Sequence, residues 1–233
     1  MKKFVALLLA VLMVASLCAC GQKDTGSDLQ TVTKGKLIMS TNAEFAPYEY
    51  VADDGKGFQG TGYEGIDIEI AYALAQKLGL ELVVDNMDFD AALSAVQTGK
   101  SDMVAAGVTV TPDRLNAMSF TDSYANGVQV VIVKEGSDIK SIDDLQGKKI
   151  GTQRGTTGYL YCTDDFGEEN VIAYDNGLTA VQALNNGQVD AVVIDNAPAK
   201  SFVEANPGLK ILDTAYAQED YAIGVAKGNT QLL

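Results

Sequence analysis

The stretch Ala-Ala-Gly-Val-Thr-Val-Thr-Pro-Asp-Arg, residues 105–114, starts like a buried strand and ends in polar chemistry that a buried strand does not need. Thr111 suits an N-cap, Pro112 the first helical position, and Asp113 complements the helix dipole. Arg114 is therefore expected in the first turn of a short helix just past a strand end. Its planar guanidinium matches a carboxylate through two parallel hydrogen bonds. Thr109 adds a hydroxyl and a backbone N–H to the same carboxylate, and Gly107 leaves a carbonyl open to an ammonium. The pattern has the parts of half a clamp for a free amino acid. The alternative is a capped helix in which Arg114 pairs with a structural acid such as Asp122.

Other chemistries are disfavoured by what the 233 residues contain. Histidine is absent, which removes the usual general base, the usual zinc ligand and every Ser-His or Cys-His dyad. Of three cysteines, Cys18 and Cys20 lie in an apolar leader, so Cys162 alone remains for the folded part and neither an internal disulfide nor a Cys-rich metal site is expected. Lys and Arg number 17 against 31 Asp and Glu. Nucleic-acid binding needs clustered cations to displace counterions, so this balance argues against it and reads as a solubilising surface.

The elements that would position Arg114 can be traced along the chain. Lys36 to Thr41 reads as a strand, and Ile66, Ile70, Leu74 and Leu78 form an apolar stripe on a helix closed by Gly79. Leu80 to Asp85 is a strand, Phe89 to Gln97 a helix, Asp102 to Ala106 a strand. After a connecting strand at 127–134, a second series follows: strands at 149–152, 171–174 and 190–194, with helices at 158–166 and 178–185. Such alternation predicts an α/β fold with parallel sheets and crossover helices.

The two series echo each other, since AVQTGKSDMVAAG (95–107) and ALNNGQVDAVVID (183–195) align without gaps as helix, Gly and strand. Gly107 and Asp195 then occupy matching strand ends, where open α/β sheets bind ligands. Asp195 has an alternative use as the N-cap of a helix over 197–200. The late strand at 221–227 would return the chain to the first series, making two hinge strands with the one near 127. Asp67 and Glu69, at a helix start, read as acids that complement the dipole.

The first twenty residues carry Lys2 and Lys3 and then an apolar run from Phe4 to Leu17, shorter than the roughly 20 residues of a spanning helix. They read as an export signal. Leu-Cys-Ala-Cys resembles the lipobox of bacterial lipoproteins, which implies a signal peptide over 1–19 and lipidation of Cys20. Residues 20–35 read as the lipidated cysteine and a polar tether.

TNAEFAPYEY (41–50), GYEGIDIEIA (62–71), NMDFDAALSAVQTGKSDMVAAGVTVTPDR (86–114), SFTDSY (119–124) and GQVDAVVIDNAPA (187–199) together resemble family 3 extracellular solute-binding proteins, the amino-acid receptors of ABC importers. The resemblance runs from about residue 36 to the last. It implies a two-lobed, type II periplasmic-binding-protein-like fold with a ligand cleft between the lobes. One lobe would be 36–126 plus 218–233 and the other 127–217. It also implies roles. Arg114, Thr109 and the backbone N–H of Thr157 match the ligands of the α-carboxylate, while Asp195 and the Gly107 carbonyl match those of the α-ammonium. Phe45 and Phe89 match rings that sandwich the ligand side chain, although both also read as core residues. Asn42 and Gln153 match positions at the side chain's tip.

A polar or basic L-amino acid is the expected ligand, and an ABC permease the expected partner. The receptor would work as a monomer without a cofactor or metal, outside the cytoplasmic membrane, with Arg114→Ala expected to abolish binding and leave the unliganded melt nearly intact. Asn42 departs from the acid found there in several receptors for basic or amide side chains, which leaves Glu44 as a possible substitute. The chain closes on GNTQLL, where the family continues into a helix, so it reads as a C-terminally incomplete member with Thr230 capping a helix that barely begins. Two rivals share the residue pattern: a lipid-anchored amino-acid sensor, and a dehydratase-like enzyme on the same fold.

Overall fold

A computed structural model describes residues 29–233, so the expected signal peptide (1–19), the lipidation site Cys20 and the tether as far as residue 28 lie outside the described residues. The alternation of strand and helix resolves into two mixed sheets. In the first, β1 (Lys36–Thr41) pairs in parallel with β5 (Glu81–Asn86) on one side and β6 (Met103–Val104) on the other. β14 (Gly224–Ala226) then runs antiparallel between β6 and β7 (Met118–Phe120).

The second sheet repeats the scheme. β10 (Val171–Tyr174), β9 (Ile150–Gln153) and β11 (Ala191–Asp195) are parallel in that order, as β5, β1 and β6 are. β8 (Ala125–Lys134) lies antiparallel to β11 and carries β12 (Leu209–Ile211) and β13 (Ala217–Tyr221) along its far edge. The echo extends to single side chains. Asp102, before β6, accepts the N–H groups of Ile38 and Val32 at 2.7 Å each, and Asp190, before β11, accepts that of Lys149 at 2.8 Å.

Helices cover both faces of each sheet. On the first sheet α1 (Ile66–Leu78) buries Ile68, Ala71 and Ala75 against Leu37, Met39 and Met103, while α2 (Phe89–Gln97) covers the opposite face with Ala92, Leu93 and Val96. On the second, α4 (Thr157–Phe166) packs Cys162 and Phe166 over Val131 and Val133. α5 (Gly177–Asn185) and α6 (Asn196–Ala205) pack over Val130 and Ile132. The apolar run of β8 is thus buried alternately on two faces, as a strand covered on both sides requires.

Two expectations are corrected. The stripe Ile66, Ile70, Leu74, Leu78 is not the buried one: Ile66 is 42% and Leu78 37% exposed, and Ile68, Ala71 and Ala75 are fully buried. Those positions are also helically spaced, and two alanines let α1 approach the sheet closely, so the larger side chains flank the seam instead of filling it. The returning segment, expected near residue 221, pairs with β8 through Tyr221 in β13 and joins the first sheet at Gly224 in β14. Near the C-terminus Asn229, not Thr230, makes the capping contact, its side-chain oxygen accepting the Leu232 N–H at 3.2 Å.

A small antiparallel sheet of β2 (Glu44–Phe45), β3 (Glu49–Val51) and β4 (Tyr63–Glu64) was not legible as alternation. It folds over the carboxyl end of β1 and carries two residues of the site, Phe45 and Glu49.

Candidate ligand-binding site

α3 (Pro112–Ala117) starts as expected, with the Thr111 hydroxyl accepting the Arg114 N–H at 3.2 Å and Pro112 at the first position. That cap aims Arg114 inward. Its guanidinium is buried, donating from Nη1 to the Thr109 carbonyl at 2.8 Å and from Nη2 to the Gly155 carbonyl, in the loop after β9, at 3.1 Å. It also lies over the Phe89 ring, 5.3 Å from the centroid. Among the described residues Arg114 makes no salt bridge, so the alternative of a structural pair with Asp122 is not realised. Burial lowers the Arg114 pKa, and the Glu219 carboxylate opposes that shift.

Across from it, Asp195 ends β11. Although it occupies the N-cap position of α6, its side chain makes no capping bond. Its carboxyl instead accepts from the Gln129 amide at 2.8 Å and from the Tyr221 hydroxyl. Burial raises its pKa to about 7, partly offset by those donors. Gly127 makes the Tyr221 contact possible, since a Cβ there would lie 2.3 Å from the Tyr221 ring.

These two residues face one small cavity. All nine sequence-predicted positions line it: Asn42, Phe45, Phe89, Gly107, Thr109, Arg114, Gln153, Thr157 and Asp195. Gly107 is held at φ +54° with a Phe45 ring atom 2.8 Å from where a Cβ would stand, so the position excludes other residues. Thr157 is the first residue of α4, where N–H groups lack intrahelical partners. Gln153 reaches across to Asn42, Nε2 to Oδ1 at 2.9 Å, and Asn42 donates to the Met87 carbonyl at 2.9 Å.

The model of the bacterial extracellular solute-binding proteins, family 3, matches residues 37–233. The chain belongs to that family. It is similar to the arginine-binding extracellular protein ArtP of Bacillus subtilis, 32% identical over 231 residues, or 94% of this chain and 84% of that protein. Its structure is similar to that of the arginine-bound truncated ArgBP of T. maritima, with 34% identity, a TM-score of 0.79, and coverage of 86% of this chain and 92% of that one. An ancestral arginine-binding protein is 42% identical with a TM-score of 0.77 when bound to arginine, and 40% with 0.78 when bound to glutamine, each covering 86% of this chain and 88% of the other. The fold is the type II periplasmic-binding-protein fold.

Sequence reasoning missed three acids of this solute-binding protein. Glu44, expected as a spare partner for a ligand side chain, is exposed and does not line the cavity, because β2 turns it outward. The acid that does line it is Glu49, the single glutamate in Tyr48 to Val51, and it is fully buried. Asp67, read as an acid serving the helix dipole, is 1% exposed and accepts the Gly107 N–H at 3.0 Å and the Tyr124 hydroxyl at 2.8 Å. It is a strut beneath the Gly107 turn.

Both oxygens of Glu49 and Oδ1 of Asp67 are buried without an N–H or hydroxyl donor among the described residues. With Glu49 protonated, its hydroxyl would have Asp67 as the adjacent acceptor. Burial foremost, then the Asp67 charge, holds Glu49 well above the usual carboxyl range, and burial raises Asp67 to about 6. The third acid, Glu219 in β13, accepts from the Thr109 hydroxyl at 3.1 Å and from Gln129 at 3.0 Å.

Proposed function

We propose that this solute-binding protein is an extracellular receptor that encloses a free L-amino acid in the cavity and delivers it to an ABC permease. One observation carries the reading: Arg114 and Asp195, of opposite charge and from different sheets, are buried facing the same small cavity. Arg114, Thr109 and the Thr157 N–H would hold the α-carboxylate, and Asp195 with the Gly107 carbonyl the α-ammonium. Phe45 and Phe89 would sandwich the side chain, and Asn42 and Gln153 meet its tip. Because the two charged ends engage different sheets, the ligand binds best when the sheets are close, and that differential affinity drives closure. No step breaks a bond. Attachment through Cys20 outside the cytoplasmic membrane, and action as a monomer, belong to the same reading.

A cationic ligand, arginine above others, is favoured by the arginine-binding relatives. Glutamine is the second reading, favoured by the amides of Asn42 and Gln153 at the tip. A thermal-shift screen of the purified protein against the common L-amino acids tests both. A ligand that binds only the folded state raises its stability with the logarithm of concentration over Kd. Arginine, lysine and ornithine are expected to raise Tm most. A cooperative melt that no amino acid moves would overturn the receptor reading.

A further inference from the structure

We propose that Glu219, on the β13 strand that links the two sheets, determines charge specificity: an acid behind the cavity wall that makes the site prefer an amino acid with a positive side chain over a neutral one of the same shape. This rests on the receptor reading, with Arg114 and Asp195 at the two ends of the ligand.

Glu219 does not line the cavity, yet it is 6% exposed and joined to both ends of it. One oxygen, Oε2, accepts from the Thr109 hydroxyl, at the carboxylate end, and from Gln129. The same Gln129 nitrogen donates to Asp195, at the ammonium end. The other oxygen, Oε1, is buried with no donor within hydrogen-bond geometry among the described residues. Glu219 is thus a buried acid held by neutral donors, with no ion pair of its own.

Charge is unevenly supplied at the site. Arg114 is the one basic residue among those lining the cavity, against Asp195 and Glu49 in the lining and Asp67 and Glu219 immediately behind. Four acids thus surround a single base at the site. A zwitterionic ligand adds one of each sign: its ammonium engages Asp195, while its carboxylate and Glu219 both draw on Arg114. Thr109 sharpens that competition, because a hydroxyl has a single proton and Glu219 already takes it. A third ligand charge, positive and on the side chain, offsets the surplus. In a poorly screened interior it need not touch an acid to do so. Asn42 and Gln153 at the tip can therefore serve a cationic ligand without a local counter-ion.

Calorimetry of the wild type and Glu219→Gln with arginine and citrulline tests this, since the two ligands differ by one charge at nearly constant shape. The substituted amide keeps an acceptor for Thr109 and Gln129, and among the described residues Glu219 has no salt bridge to break. The wild type is expected to prefer arginine by tenfold or more. In E219Q the arginine-to-citrulline ratio should fall by about tenfold, with citrulline affinity unchanged or improved. A wild-type ratio near one overturns the proposal without any variant. Equal loss of both ligands in E219Q makes Glu219 merely structural and overturns it too. Glu219→Asp, which keeps the charge, must retain the preference. A wild type that binds no amino acid brings down the receptor reading itself, a result distinct from binding both ligands with an unmoved ratio.

Discussion

Gln153 donates its amide N–H to the Asn42 side-chain oxygen at 2.9 Å, joining the carboxyl end of β9 to the residue after β1 across the cavity. With the Arg114 bond to the Gly155 carbonyl, it is a direct tie between the two sheets at the site. Gln153→Ala removes it and leaves the Asn42 oxygen to water. A net hydrogen bond contributes about 1 kcal/mol, so amino-acid affinity should fall roughly fivefold for charged and neutral ligands alike. Small-angle scattering should show a larger radius of gyration without ligand and a normal one at saturation. A loss confined to one class of side chain would instead make Gln153 a tip contact and nothing more.

Arg114→Lys should be nearly as damaging as Arg114→Ala. A lysine ammonium cannot offer the two-pronged donor and cannot reach Thr109, Gly155 and a ligand carboxylate together. Affinity is expected to fall at least about a hundredfold in calorimetry. The unliganded melt will not stay unchanged, as the sequence alone led one to expect, because Arg114 bridges two backbone carbonyls and stacks on Phe89. A Tm loss of a few degrees, on the order of 1 kcal/mol, is expected in either variant.

Asp195→Asn should abolish binding and yet stabilise the unliganded protein in a pH-dependent way. Burial raises the folded-state pKa of Asp195 from 3.8 to about 7. Below pH 3.8 both states hold the proton and nothing is gained or lost. Between 3.8 and about 7 the unfolded state releases it while the folded state keeps it, so stability falls as pH rises. The asparagine variant lacks that fall. Its Tm should therefore match the wild type near pH 4 and exceed it at pH 8. The opposite order would mean that the carboxylate is stabilised in place by Gln129 and Tyr221.

Asp67→Ala and Glu49→Gln separate the two members of the carboxyl pair. The first strips the acceptor from the Gly107 N–H, the Tyr124 hydroxyl and the Glu49 proton, and should cost about 3 kcal/mol or more together with ligand affinity. The second supplies an amide N–H in place of the shared proton and should fold normally. Glu49 has a folded pKa well above 4.5, so its contribution to stability declines as pH climbs past that value. Glu49→Gln should flatten that decline in denaturant titrations between pH 5 and 8, and a variant as pH-sensitive as the wild type would remove the proton from the pair.

How much was legible follows the range over which each signal acts. Thr111, Pro112 and Arg114 lie within four residues, so local rules were enough to place Arg114 in the first turn of a capped helix. The order of strands and the echo between residues 95–107 and 183–195 were legible for the same reason. Periodicity in α1 misled, because both its isoleucine–leucine stripe and its Ile68–Ala71–Ala75 stripe are helically spaced, and only the sheet beneath decides which one packs.

The sequence by itself determined the α/β grammar, the family, and the nine residues that the fold gathers around one cavity. Only the tertiary structure decided which acids are part of that site. Glu44, Glu49, Asp67 and Glu219 look alike in sequence, each a carboxylate beside residues of ordinary strand or helix character. What separates them is burial and partners 40 and 110 residues away in Gly107 and Thr109. A carboxylate's charge state and function are set by the donors and the dielectric that surround it, and those come from chain segments that meet only when the fold closes.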